Sequence, residues 1–129
     1  MRKFKGWIIV LSISLSLFGL SACGGSVAYE QITAEQAQTL MNTKQHYIIV
    51  DARTEEEFAE GHIRNAVLIP EYEIAERAET ELPYKNALIL VYCRSGRRSK
   101  IAAEEFVKLG YTNVKEFGGI IDWPYEIVK

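Results

Sequence analysis

Residues 91–100 read VYCRSGRRSK. Cys93 ends an apolar run, and Arg94, Arg97, Arg98 and Lys100 follow it with no acid among them. Such a stretch could be a solvated basic loop, a nucleic-acid patch, half of a metal site, or a reactive thiol in an anion-binding cradle. The last has a definite physical basis. In a turn from strand to helix, Gly96 permits backbone angles that other residues avoid. Successive N–H groups then point inward, and with the start of the following helix they form a nest for negative charge. A thiolate held there is stabilised, so the Cys93 pKa is expected to fall below the ~8.5 of a free cysteine. Guanidinium groups nearby push the same way and can hold an anion bidentately. The arrangement suits nucleophilic attack by sulfur on an anionic substrate.

The elements that must position this loop alternate in character. ITAEQAQTLM carries Thr33 and Gln36 three apart, a capping box, and Ala37, Leu40 and Met41 at helical spacing. YIIVDA (47–52) is a short β-branched run that predicts a strand covered on both faces. In TEEEFAEG, Thr54 is the expected cap, Glu57 the third helical residue and Gly61 the stop. AVLIP (66–70) predicts a strand closed by Pro70, and EYEIAERAE a helix. NALILVYC (86–93) is the strongest strand signal. RRSKIAAEEFVKLG then switches to helical period, with Ala102, Phe106 and Leu109 on one face and Gly110 at the C-terminal cap. NVKEF predicts a last strand, and GGIIDWPYEIV a tight turn with a closing aromatic. Strands alternating with helices imply a parallel sheet with helices on its faces. Ligands of such folds sit outside the carboxyl ends of the strands. Cys93 lies at that end of the most apolar, hence most central, strand, and Asp51 at the same end of another.

The bulk numbers fit one domain. A chain of 129 residues supports one core of ordinary size, and 48% hydrophobic with 25% charged residues is a globular balance. The net charge of −2 argues against a general nucleic-acid binder, so the basic cluster runs against the overall sign. The first residues differ. MRKFK is a positive start, GWIIVLSISLSLFGL an almost uncharged apolar run, and SACGGS a small-residue segment around Cys23. This is the layout of a secretory signal. Leu20-Ser21-Ala22-Cys23 resembles the lipobox of bacterial lipoprotein signals, which are cut before a cysteine that carries a lipid. A plain signal peptide or an uncut anchor is the competing expectation. Residues 1–22 are thus expected to be a signal peptide, 23–28 a lipidated Cys23 with its tether, and 29–129 the functional domain. Cleavage removes three of the 15 cations and none of the 17 acids, leaving a net charge of −5. The lipid would hold this acidic domain on the extracytoplasmic face of a membrane. Cys93 is then the one thiol left, with no partner for a disulfide. One such cysteine and two histidines also support a four-ligand metal site poorly.

Three ordered segments carry a resemblance. IIVDARTEEEFAEGHIRNAVLIP, VYCRSGRRS and AAEEFVKLGYTNVKEFGGIIDW are together similar to a single-domain rhodanese, a sulfurtransferase, over about residues 30–127. The resemblance implies a three-layer α/β fold with a central parallel sheet of about five strands. It implies that Cys93 takes sulfane sulfur from a donor such as thiosulfate as a persulfide and passes it to cyanide or a thiol. The loop residues Arg94, Ser95, Gly96, Arg97 and Arg98 would cradle that persulfide, with Asp51 and Arg53 supporting. No metal or organic cofactor and no nucleic acid is implied, and the small domain is expected to act as a monomer. Related phosphatases and arsenate reductases resemble this loop but place five residues between Cys and Arg. Here four separate Cys93 from Arg98, which favours sulfur transfer. One position departs from the family's pattern: Asn65 stands where Gly-His-Ile-x-Gly-Ala has its second glycine. Asn is the next best residue at left-handed angles.

Plainer readings stand beside these. Cys93 could be an inert core thiol, and each arginine a solvated charge. Asp51 and Arg53 are expected to pair with each other, with Glu57 or with loop backbone rather than to act chemically. His62 reads as a hydrogen-bonded structural histidine, His46 as an exposed loop residue and Trp123 as a closing aromatic. A phosphatase-like cysteine enzyme and a non-enzymatic persulfide-carrier or binding module at the cell surface are the competing functions.

Overall fold

The computed structural model describes residues 28–129. The expectations for the signal peptide, Cys23 and the tether up to residue 27 lie outside the described residues. Five strands and four α-helices follow in order: β1 (Glu30–Gln31), α1 (Ala34–Thr43), β2 (Ile48–Asp51), α2 (Glu55–Glu60), β3 (Val67–Leu68), α3 (Ile74–Glu81), β4 (Ile89–Cys93), α4 (Arg97–Lys108) and β5 (Val114–Gly119). Short 3₁₀ turns at Glu71–Glu73 and Ile120–Asp122 complete it. All strand pairs are parallel, in the order β1-β5-β4-β2-β3. β4 is the central strand, as its apolar run implied.

Capping starts α1 and α2 as expected. Thr33 Oγ1 accepts from Gln36 N at 3.1 Å while Gln36 Oε1 accepts from Thr33 N at 2.9 Å. Thr54 and Glu57 repeat the device at α2, at 3.3 and 3.0 Å. Each box satisfies two N–H groups that a helix start leaves unpaired.

The sheet alternates between two cores because successive strand side chains point to opposite faces. Val50, Ile89, Val91, Cys93 and Val114 pack against α3 and α4 through Ile74, Ala78, Ala102, Ala103 and Phe106. Ile49, Leu90, Tyr92 and Phe117 pack on the other face with Ala37 of α1, Ile63 and Trp123. Each fully buried Ile or Val contributes roughly 1.5–3 kcal/mol through removal of apolar surface from water. Cys93 thus shares a face with α4, and Asp51 pairs in register with Tyr92 at the same carboxyl end.

Some boundaries moved. β1 has only two exposed residues with no apolar pattern. The run at 66–70 is ladder-paired only at Val67–Leu68, and the helix expected from Glu71 begins with a 3₁₀ turn after Pro70. Asn65 adopts φ 68°, the left-handed angle expected of the residue replacing glycine.

Candidate active site

The loop from Cys93 to Gly96 leaves the carboxyl end of β4 and runs directly into α4. Gly96 takes φ 105°, an angle that favours glycine, and is the residue before the helix. Its N–H donates to Cys93 Sγ at 3.0 Å. No side chain caps α4, unlike α1 and α2. The N–H groups of its first turn are therefore not used up by a side-chain cap, the condition an anion-binding helix start requires. Cys93 is 1% exposed, a free thiol recessed at the floor of the loop. Arg94, Ser95 and Arg97 are exposed around it. Neither Arg94 nor Arg97 forms an ion pair with an acid of the described residues, so both guanidinium groups are available to an incoming anion.

The back of the loop rests on the end of β5. A Cβ at Gly119 would lie 1.9 Å from the Arg94 carbonyl oxygen and 2.6 Å from Ser95 Cα, so only glycine fits. The same carbonyl accepts from Ile121 N at 3.2 Å. Register slips here: Val91 pairs with Glu116, but Cys93 pairs with Gly119. The extra residue makes a bulge beside the site, which lets β5 turn its glycines under the loop.

Two ion pairs form among the expected residues and Glu57. Asp51 and Arg53 are both buried and meet at 2.7 Å, with Arg53 also donating to the Gly61 carbonyl at 2.6 Å. Tyr92 donates to Asp51 Oδ2 at 2.6 Å and accepts from Ile63 N at 3.0 Å. Burial, then the Asp51 charge, push the Tyr92 phenol well above its ordinary range, so it stays a donor. Burial opposes the charge of Arg53, yet the Asp51 contact outweighs it and the guanidinium is held more firmly protonated. The second pair is Arg98 with Glu57, bidentate at 2.7 Å on both arms. The Arg98 hydrogen bond, with Thr54 adding to it against burial, lowers the Glu57 carboxyl from 4.5 to about 2.

The expected site residues therefore divide. Cys93 and Gly96 meet in the loop, and Arg94 and Arg97 open to solvent beside it. Arg98 lies at the same helix start, but its guanidinium is engaged by Glu57 rather than directed freely into the cradle. Asp51 and Arg53 pair with each other, behind the site. His62 stacks on Phe58 with centroids 3.7 Å apart and its Nδ1 lies 2.9 Å from the Phe58 carbonyl, a structural place. His46 is exposed, and Trp123 closes the core against Phe117. Size does not mark the site: a concavity of about 590 Å³ lined by His46, Tyr47, Tyr84 and Leu88 lies at the opposite end of the sheet. Ser99, Tyr92 and Glu116 were missed. Glu116 was findable, since it shares the inward period of Val114.

A family model described as "Rhodanese-like domain" matches residues 33–124. The chain belongs to the rhodanese-like domain family. This rhodanese-like chain is similar to "Thiosulfate sulfurtransferase PspE" of Escherichia coli, 40% identical over 80 residues that cover 62% of this chain and 77% of that one. It is also similar to "Thiosulfate sulfurtransferase GlpE" of Coxiella burnetii, 32% identical, covering 74% and 87%. A solved structure described as "rhodanese with anions from E. coli" superposes with a TM-score of 0.61 at 37% identity, covering 64% of this chain and 98% of that one.

Proposed function

We propose that Cys93 is the sulfur-carrying nucleophile of a thiosulfate-type sulfurtransferase. Family membership and relatives at 40% and 32% identity make the chain a rhodanese-type sulfurtransferase; the finer assignment follows from the loop. The observation that carries it is the Gly96 N–H on Cys93 Sγ at an uncapped helix start. In the first half-reaction the Cys93 thiolate attacks the outer sulfur of thiosulfate. The S–S bond breaks, sulfite leaves with its electron pair, and Cys93 keeps one sulfur as a persulfide anion. The inward N–H groups and the α4 dipole stabilise that anion, and Arg94 and Arg97 attract the dianionic donor. In the second half-reaction cyanide or a thiolate attacks the outer sulfur, and the Cys93 thiolate is released.

One observation weighs against phosphatase-type chemistry. The arginine that would clamp a phosphate, Arg98, has both guanidinium arms on Glu57. Thiocyanate formation from thiosulfate and cyanide by the purified full-length protein tests the proposal. Activity in the parent and none in Cys93→Ser is expected. Equal activity in Cys93→Ser, or turnover of an aryl phosphate or arsenate in its place, would overturn it.

The proposal includes the anchor. The order of charged start, apolar run and Leu20-Ser21-Ala22-Cys23 supports a lipid on Cys23 that holds the domain on the extracytoplasmic face. Fractionation of host cells is expected to find the protein with membranes and to lose it from them in Cys23→Ser. A parent protein found in the soluble fraction would contradict the anchor and leave the chemistry of Cys93 untouched.

A further inference from the structure

We infer that Glu116 is a positioning residue for the Cys93 cradle, acting through Ser99 and Gly118; this rests on the sulfur-carrying role proposed for Cys93. Glu116 is 3% exposed and projects from β5 toward the face where α4 and Cys93 lie. A buried carboxyl on the face of the sheet packed against an apolar core is costly unless its oxygens are used. Here Oε1 accepts from Ser99 Oγ and from Gly118 N, each at 2.7 Å. These donors stand on opposite sides of one seam. Gly118 belongs to the β5 bulge, and Ser99 to the first turn of α4.

The seam is the underside of the loop. A Cβ at Gly96 would lie 3.5 Å from Gly118 Cα and 3.9 Å from Glu116 Oε1. Ser99 Oγ also lies 3.1 Å from the Gly96 carbonyl and 3.3 Å from that of Gly118. One hydroxyl proton can serve one of these acceptors well, and Glu116 is the shortest. Without Glu116 the Ser99 hydroxyl turns to a glycine carbonyl and Gly118 N loses its acceptor. The first acts on the Gly96–Arg97 peptide unit, and the second on the Gly118 backbone packed against Gly96, whose N–H holds the sulfur. Glu116 therefore fixes where that N–H points without touching substrate.

The test uses purified full-length protein, with thiocyanate formation giving kcat and the KM for thiosulfate, and thermal melting beside it. Glu116→Ala and Ser99→Ala are each expected to lower kcat about 10- to 100-fold, the scale of a small misplacement at a reacting centre. KM should stay within about threefold, because the exposed arginines are untouched. Glu116→Gln, whose amide oxygen accepts both bonds, should keep kcat within about threefold of the parent. The double alanine variant should fall no more than about threefold below the poorer single one, since both remove one linkage. A lowered melting temperature with parental kcat in the alanine variants would overturn the inference. If Glu116→Ala does not fold, the other two decide: parental kcat in Ser99→Ala, or a Glu116→Gln as impaired as Ser99→Ala, overturns it. A parent protein that takes up no sulfur would instead remove the Cys93 role beneath it.

Discussion

A methyl group at Gly119 would sit 1.9 Å from the Arg94 carbonyl oxygen, closer than any pair of non-bonded atoms tolerates. The obstacle is backbone, so it cannot rotate away. Gly119→Ala must push the loop off β5, and the Gly96 N–H moves with it. The expected result is a loss of about 1–3 kcal/mol in denaturant unfolding, the range for overpacking, and a fall in kcat of about 100-fold. A variant with parental kcat would show that loop position does not govern reactivity. The contrast with Asn65 is instructive. There a non-glycine residue takes φ 68°, because an exposed turn needs an angle and no empty space. Gly119 is thus required for a steric reason, whereas position 65 needs only a left-handed angle.

At the scale of elements, the Glu57–Arg98 pair ties α2 to the start of α4. Its pH behaviour follows from direction. Glu57 falls from 4.5 to about 2 on folding, so the pair's contribution is whole above pH 4.5 and is lost as pH falls toward about 2. Glu57→Gln should remove that part of the acid-induced loss, and on the order of 1–2 kcal/mol at neutral pH after solvent screening. Urea unfolding at pH 7 and pH 3 measures it; parallel pH curves for both proteins would show the pair carries no stability. Elements with strong local signals were legible in the sequence. Both Thr-led capping boxes, the apolar β4 and the period of α4 are local patterns, and all four stand where expected. β1 was not, because two exposed residues paired only by backbone leave no side-chain pattern. In the candidate site, the meeting of Cys93 and Gly96 in one loop was legible from one short stretch. The engagement of Arg98 by Glu57, 41 positions away, was not, since it exists only once α2 and α4 are brought together.

For the whole molecule, a basic loop on an acidic chain sets the electrostatics. Arg94 and Arg97 are exposed, so their pull on an anionic donor is screened by salt. Raising ionic strength from about 0.01 to about 0.15 M shortens the screening length from roughly 30 to 8 Å. The KM for thiosulfate should rise several-fold over that range, and Arg94→Ala/Arg97→Ala should flatten the response. A KM indifferent to salt would move donor recognition away from the arginines. Topology completes the picture: a parallel sheet with β4 at its centre brings one strand end, one helix start and the β5 glycines to a single edge. The proposed sulfur-carrying thiol, Cys93, stands at that edge. The most direct test is intact-mass measurement of full-length protein after thiosulfate treatment and removal of excess donor. The account predicts a gain of one sulfur atom, located on Cys93, discharged by cyanide and absent from Cys93→Ser. A protein that turns over thiosulfate and cyanide while Cys93 never gains that sulfur would contradict it.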